Sequence, residues 1–182
     1  GKLNDKSKAI YEKVENSKDS LYGWLNKEYP NWEKTIGKVI DEEKEWELSI
    51  EKTLHNFALR LIVPDKYYSK VNEYVNKTNL KGRIIYQRYR GFESLGNLTT
   101  KSIAQNSLVN KIEFKSKNPY TPWLEDIITN QYNYACLNDL LEFNRYDERA
   151  ITKEGLIKFG RDKKKKDDRI HISKKENYVL GW

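Results

Sequence analysis

The sequence predicts an α/β fold of two consecutive αβ halves, entered by a helical segment, and three observations carry that prediction. The stretch from Glu45 to Arg88 (EWELSIEKTLHNFALRLIVPDKYYSKVNEYVNKTNLKGRIIYQR) reads as a helix, a buried strand, a crossover helix and a second strand. A related order recurs from Trp123, where a helix LEDIITNQYN leads to the apolar run YACL, a helical NDLLEF, an extended RAIT and a glycine turn into LIKF. Ahead of both, Leu3, Ser7, Ile10, Val14, Ser17, Leu21 and Trp24 keep the alternating four-three spacing of an a/d seam. The boundaries that follow are 1–29 for the end of a coiled-coil arm or an amphipathic helix, 30–106 for the first αβ half and 107–182 for the second.

Taken in order, Gly23 and Tyr29-Pro30 interrupt the seam, and Pro30 suits the first position of a new helix. Trp32, Ile36, Val39 and Ile40 then make one apolar stripe, and Trp46, Ile50 and Leu54 make the stripe of a following helix. Phe57 to Val63 reads as a strand, and its unbroken Leu61-Ile62-Val63 suggests burial on both faces, as in a parallel sheet. Pro64 ends it, and Tyr67, Tyr68, Val71, Tyr74 and Val75 recur at helical spacing before Lys81-Gly82 turns the chain into Arg83 to Tyr86. Residues 91–106 are a loop between the halves, Leu108 to Lys115 an imperfectly alternating strand, and Thr121 a candidate N-cap of the next helix.

Hydrophobic residues make up 37% of the 182-residue chain, which supports a folded core, while 34% charged residues and a mean hydropathy of −0.91 imply much exposed helix surface. No run approaches the ~18 to 20 apolar residues that a membrane span needs, so no membrane partner is expected, and a cytoplasmic location is. The lone Cys136 lies in an apolar run and reads as a small core residue. The lack of methionine and the stop at Gly181-Trp182 after an extended pattern suggest a domain of a longer protein. The net charge of +7 is unevenly spread: residues 1–80 are balanced at 14 Lys and Arg against 14 Asp and Glu, while residues 81–182 carry 20 against 13. An electrostatic footprint for an acidic polymer therefore centres on the second half.

The residues and their order from Trp46 to Trp182 resemble the hinge of an SMC-type (structural maintenance of chromosomes) ATPase. Ile50-Glu51 ahead of Leu54, the strand ending at Val63 and Gly82-Arg83 opening the next strand match its first half. Leu137 to Glu142, then Arg149-Ala-Ile-Thr-Lys-Glu-Gly155-Leu-Ile, match its second. The runs TPWLEDIITNQYNYACLNDLLEF, RAITKEGLIKFGRDKKKKDDR and NYVLGW are similar to the central region of the JetC family, the MukB-like SMC ATPases of Wadjet plasmid-defence systems. The resemblance implies a homodimerising hinge at the apex of coiled-coil arms, in a complex that extrudes DNA loops with ATP. It places Gly82, Gly155 and Gly160 at the dimer interface. The glycine-rich turn of typical hinges is replaced by Gly160 followed by Arg161-Asp162 and Lys163 to Lys166. Other subunits of the complex are expected to bind parts of the parent outside this chain.

No GxxxxGK[ST] loop is present, so the ATPase heads belong elsewhere in the parent, and no cofactor or catalytic residue is expected in this chain. His55, His171 and Cys136 are too widely spaced for a zinc ligand set, and His55 reads as a helix-end or surface residue. Two alternatives stay open. A metal-dependent PD-(D/E)xK-type nuclease would use Asp65, Glu113 and Lys115, although a helix and a strand separate the first from the others. A stand-alone nucleic-acid-binding module would be built on Lys153 to Lys175, with Arg161, Lys163, Lys164, Lys165, Lys166 and Arg169 as the DNA-binding set. The same six residues are the expected DNA contacts of a hinge, and the flanking Asp162, Asp167 and Asp168 are equally compatible with a solvated loop. Tyr86 and Tyr89 read either as core or, beside Arg88 and Arg90 on an exposed edge, as a base-stacking surface.

Overall fold

Lys38 and Val39 are too few residues to make a strand alone, and Gly37 is what lets them pair: a Cβ at Gly37 would collide with the carbonyl of Glu113. Strand β1 (Gly37–Val39) thereby lies antiparallel to β4 (Ile112–Phe114), with Val39 opposite Ile112. A computed structural model describes residues 37–79, 83, 85–91, 103–116 and 119–181. The heptad seam, the helix start at Pro30, Trp32, Ile36, Gly82, Ile84 and most of the inter-half loop lie outside the described residues. Val39, expected on the stripe of a helix, instead belongs to β1, because pairing with β4 satisfies its backbone and buries its side chain to 1% exposure.

A 3-10 turn, Asp41–Trp46, leads into α1 (Glu47–Ala58). The expected stripe is in place, with Trp46, Ile50, Leu54 and Phe57 buried, but Ser49, Glu51 and Lys52 are buried as well. Helix α1 is therefore enclosed on more than one face and serves as the centre of the molecule. It also runs longer than expected: Phe57 and Ala58 are its last residues, and strand β2 begins only at Leu61 and runs to Pro64. The chain next forms α2 (Asp65–Lys77) and β3 (Tyr86–Tyr89), with β2 and β3 parallel as the apolar run implied. Leu61 and Val63 are buried and Ile62 only partly so, because α2 covers the pair mainly through Val71. Strand β3 lies three residues later than the expected Arg83 to Tyr86. Tyr86 gains a bond from its hydroxyl to Asn72 Oδ1 (2.7 Å), and Tyr89 packs on Tyr120 and Trp123 at centroid distances of 4.6 and 5.3 Å.

The expected strand over Leu108 to Lys115 splits into a 3-10 turn, Leu108–Lys111, capped by the Ser107 hydroxyl accepting from the Val109 N–H, and β4. Helix α3 (Thr121–Gln131) buries Trp123, Leu124, Ile127 and Ile128, matching its pattern. Its N-cap is Tyr120; Thr121 is already helical, and its hydroxyl donates to the Lys115 carbonyl. Then come β5 (Ala135–Cys136), α4 (Leu140–Arg145), β6 (Ala150–Ile151), β7 (Leu156–Lys158), β8 (Lys164–Lys166) and α5 (Ile170–Ser173).

The last four strands form one sheet in the order β5-β6-β7-β8, with β5 and β6 parallel and the other pairs antiparallel. Side-chain alternation splits its faces. Cys136, Ile151 and Ile157 join the main core with α1 and α3, while Ala135, Ala150 and Leu156 meet Leu137 and Phe143 under α4. One core thus spans both halves, and each fully buried Ile or Leu in it contributes about 1.5 to 3 kcal/mol. Burial pushes the Cys136 thiol up to about 12, in keeping with a core role. Among the described residues, no helix is long and apolar enough to cross a membrane.

Candidate functional site

The carboxylate of Glu51, at 2% exposure on α1, accepts hydrogen bonds from the backbone N–H groups of Val179 (2.7 Å) and Leu180 (3.0 Å). Directly after them, the Gly181 N–H donates to the Gly37 carbonyl at 2.8 Å. The first and last described segments are therefore held side by side. Glu51 was legible only as part of a motif; an isolated glutamate in a helix gives no signal that it holds the backbone of a segment 128 residues later.

The neighbouring Lys52 is equally enclosed, its side chain 3% exposed, and donates to Asp168 Oδ1 at 3.0 Å. Asp168 also receives Lys166 (2.8 and 2.7 Å), so one carboxylate lies between two ammonium groups, and these bonds hold its pKa below the usual value. Gly155 sits against Lys52 at φ +92°, in the turn between β6 and β7. An alanine Cβ there would lie 3.0 Å from the Lys52 Cδ and in a backbone region unfavourable to L side chains. Gly155→Ala is expected to lower stability by about 1 to 3 kcal/mol, read as the shift of a urea unfolding midpoint. An unchanged midpoint would show that the turn relaxes without strain.

Strand β8 is three lysines, all exposed, expected as a loop and ordered instead by pairing Lys164, Lys165 and Lys166 with Lys158, Ile157 and Leu156 of β7. It is the open edge of its sheet among the described residues. The opposite edge, β5, is covered by residues 106–108, where the Cys136 N–H donates to the Asn106 carbonyl and the Leu108 N–H to the Tyr134 carbonyl. A row of lysines on an open edge repels a second identical edge and attracts anions. The six expected DNA-binding residues divide clearly. Lys166 is engaged by Asp168; Arg169 holds Asp167 through two bonds of 2.8 and 2.6 Å, which draw the Asp167 carboxyl well below the usual carboxylate range. Arg161 stands 3.9 Å from Asp147 with both side chains 79% exposed. Lys163, Lys164 and Lys165 are exposed and make no ion pair among the described residues.

No protein-family model matches the chain, and no curated protein matches it. Among solved structures, it is similar to the Pyrococcus furiosus Smc hinge domain with an extended coiled coil, at a TM-score of 0.54 and 19% identity over 92% of this chain and 68% of that one. The fold is that of an SMC hinge. It is also similar to the Geobacillus stearothermophilus SMC hinge domain, solved as an asymmetric dimer, at a TM-score of 0.43 and 13% identity over 93% of this chain and 82% of that one.

Within this SMC-hinge fold the remaining expected residues take ordinary partners. Asp65, in the first turn of α2, pairs with Arg88, where an acidic side chain also suits the helix dipole; Glu113 lies on β4 and faces Lys38 at 3.8 Å. The two carboxylates thus lie on separate elements, Asp65 opening α2 after β2 and Glu113 in the β1–β4 pair. Among the described residues, no three His, Cys, Asp or Glu side chains gather as a metal site. Tyr89, partly buried, packs against the core through Tyr120 and Trp123, and Tyr86, also partly buried, leans on Tyr68 at 6.0 Å and bonds Asn72, so both rings are engaged within the fold. Of the expected interface glycines, Gly155 is enclosed by its own chain, Gly160 lies in the partly exposed turn before β8, and Gly82 is outside the described residues.

Lys158 carried no signal in the sequence, whereas His55 takes the helix-end place expected of it. Lys158, 1% exposed, donates its ammonium to the carbonyls of Phe143 and Tyr146 (the latter 2.8 Å) at the C-terminal end of α4. It caps that helix as a cation should. Burial, with Lys164 nearby, lowers its pKa. His55, in the last turn of α1, is half-buried; burial, then His171, Arg169 and Lys165, lower its pKa, and Asp167 opposes them.

Proposed function

We propose that this domain is the hinge through which two SMC-type ATPase subunits join at the apex of their coiled-coil arms. The observation that carries the reading is the closure of the domain on itself. Gly37 and Gly181 meet at 2.8 Å and Glu51 holds the returning segment, so the flanks leave the fold at one place, as two strands of a folded-back arm must. The resemblance of the ordered motifs from Trp46 to Trp182 to JetC, the MukB-like ATPase of Wadjet systems, supports a parent that acts in DNA loop extrusion and plasmid defence within the bacterial cytoplasm. The subunits join through their αβ halves about a twofold axis, with Gly82 and Gly160 at the contact. The lysine edge of β8 contacts DNA through its phosphates, without reading sequence.

Light scattering after size exclusion tests the joining role directly. The 21.7 kDa chain is expected to elute at twice its mass. A mass of one chain at every concentration tried would remove dimerisation from this domain.

A further inference from the structure

Beside the basic edge lies a polar cavity of about 240 Å³, open to solvent and lined by Asn130, Asn133 and Gly160 with the exposed Asp147, Glu148 and Arg149. That is below the roughly 300 to 1,000 Å³ of pockets that enclose whole small-molecule ligands. It adjoins the lysines through Gly160, which helps to line it and whose carbonyl accepts the Lys163 N–H at 3.3 Å, and the next residue, Arg161, stands 3.9 Å from Asp147 of the lining. Resting on the reading that β8 contacts DNA, we propose that this cavity receives one unpaired nucleobase from a single strand whose phosphates follow Lys163, Lys164 and Lys165.

The lining decides among ligand chemistries. A phosphate or carboxylate entering the cavity would meet Asp147 and Glu148, and a lysine or arginine from a protein partner would meet Arg149 with Arg161 at the rim. A neutral, flat group with both donors and acceptors suits the mixture. Arg149 is fixed for that purpose, its guanidinium donating to the Gln131 carbonyl and lying 5.8 Å from the Tyr134 ring centre; guanidinium planes are stacking platforms for unpaired bases. Asn130 donates to the Asp126 carbonyl at 2.8 Å, which holds its amide in one orientation. The two carboxylates accept from ring and exocyclic N–H groups. Guanine, with an N–H and an NH₂ on one edge, fits best, and thymine, with no amine, fits worst.

The test uses the whole chain and fluorescent single strands of dT, with or without one central dG, measured by anisotropy at fixed salt. The dG strand is expected to bind at least about fivefold more tightly, the lower end of what a good bidentate base contact discriminates. Glu148→Gln and Asp147→Asn, both isosteric, should abolish that preference while leaving dT affinity intact. Changing Lys163, Lys164 and Lys165 to Gln should weaken both strands equally. Equal binding of the two strands, or a preference that survives both carboxylate changes, overturns the proposal. If neither strand binds at low salt, the DNA reading itself fails. Guanosine monophosphate titrated against the amide signals of Asn130, Asn133 and Glu148 then judges the cavity separately: shifts confined to these residues support it, and their absence overturns it.

Discussion

Replacing Glu51 by alanine is expected to lower the unfolding free energy by roughly 2 to 6 kcal/mol, since two buried N–H donors each lose their acceptor at about 1 to 3 kcal/mol apiece. The donors are those of Val179 and Leu180, whose side chains are themselves in the core, so neither can turn to water without exposing apolar surface. Glu51→Gln keeps one acceptor oxygen but turns an NH₂ group towards the other donor, and should fall between wild type and alanine. Urea unfolding at neutral pH reads all three proteins. A loss below about 1 kcal/mol for Glu51→Ala would mean that the terminal segment holds its place without the carboxylate. In a hinge the same substitution would also free the outgoing flank from the incoming one.

The second large effect concerns DNA. With Lys163, Lys164 and Lys165 changed to Gln, the slope of log affinity against log salt for duplex DNA should fall by about 2.7, counting about 0.9 per phosphate contact released. Lys166→Gln alone should change the slope by much less, because its ammonium is already neutralised by Asp168. A control altering Lys2, Lys6 and Lys8, in the electrically balanced first part of the chain, should leave the slope unchanged. Titration at several salt concentrations separates the cases. Equal loss from the control, or no loss from the triple variant, would show that the β8 lysines only keep an open sheet edge from pairing.

The α/β class, the parallel β2–β3 pair, helix α3 and strands β5, β6 and β7 could be read from the sequence because period and burial agree there: Trp123, Leu124, Ile127 and Ile128 recur at helical spacing and all face the core. The misplaced elements are those in which a local pattern fits two periods. Val39 and Ile40 complete a helical stripe with Trp32 and Ile36, yet a distant strand, β4, decides in favour of extended backbone. Phe57 fits a strand run as well as it fits one more turn of α1. In the candidate site, the basic run was visible by counting charge, but not which lysines stand apart from the aspartates; that follows from β8 being a strand, which sets Lys166 beside Asp168 and leaves Lys163 to Lys165 exposed. Lys52 and Lys158 carried no signal at all, and Glu51 only that of the motif to which it belongs. Their partners are backbone groups or side chains remote in the chain, and polar residues of these types are ordinarily at the surface.

The meeting of Gly37 and Gly181 has a mechanical consequence. A chain that leaves and returns within a single amide-to-carbonyl contact makes a detour with almost no net displacement, so tension travelling from one flank to the other falls on that contact, the two Glu51 bonds and the short β1–β4 pair that Gly37 opens before it reaches the four-stranded sheet. These bonds are loaded one after another, as a seam is unpicked, rather than together. Load shared equally by both flanks pulls on the module as a whole and leaves the seam slack. The domain thus resists being dragged far better than being split.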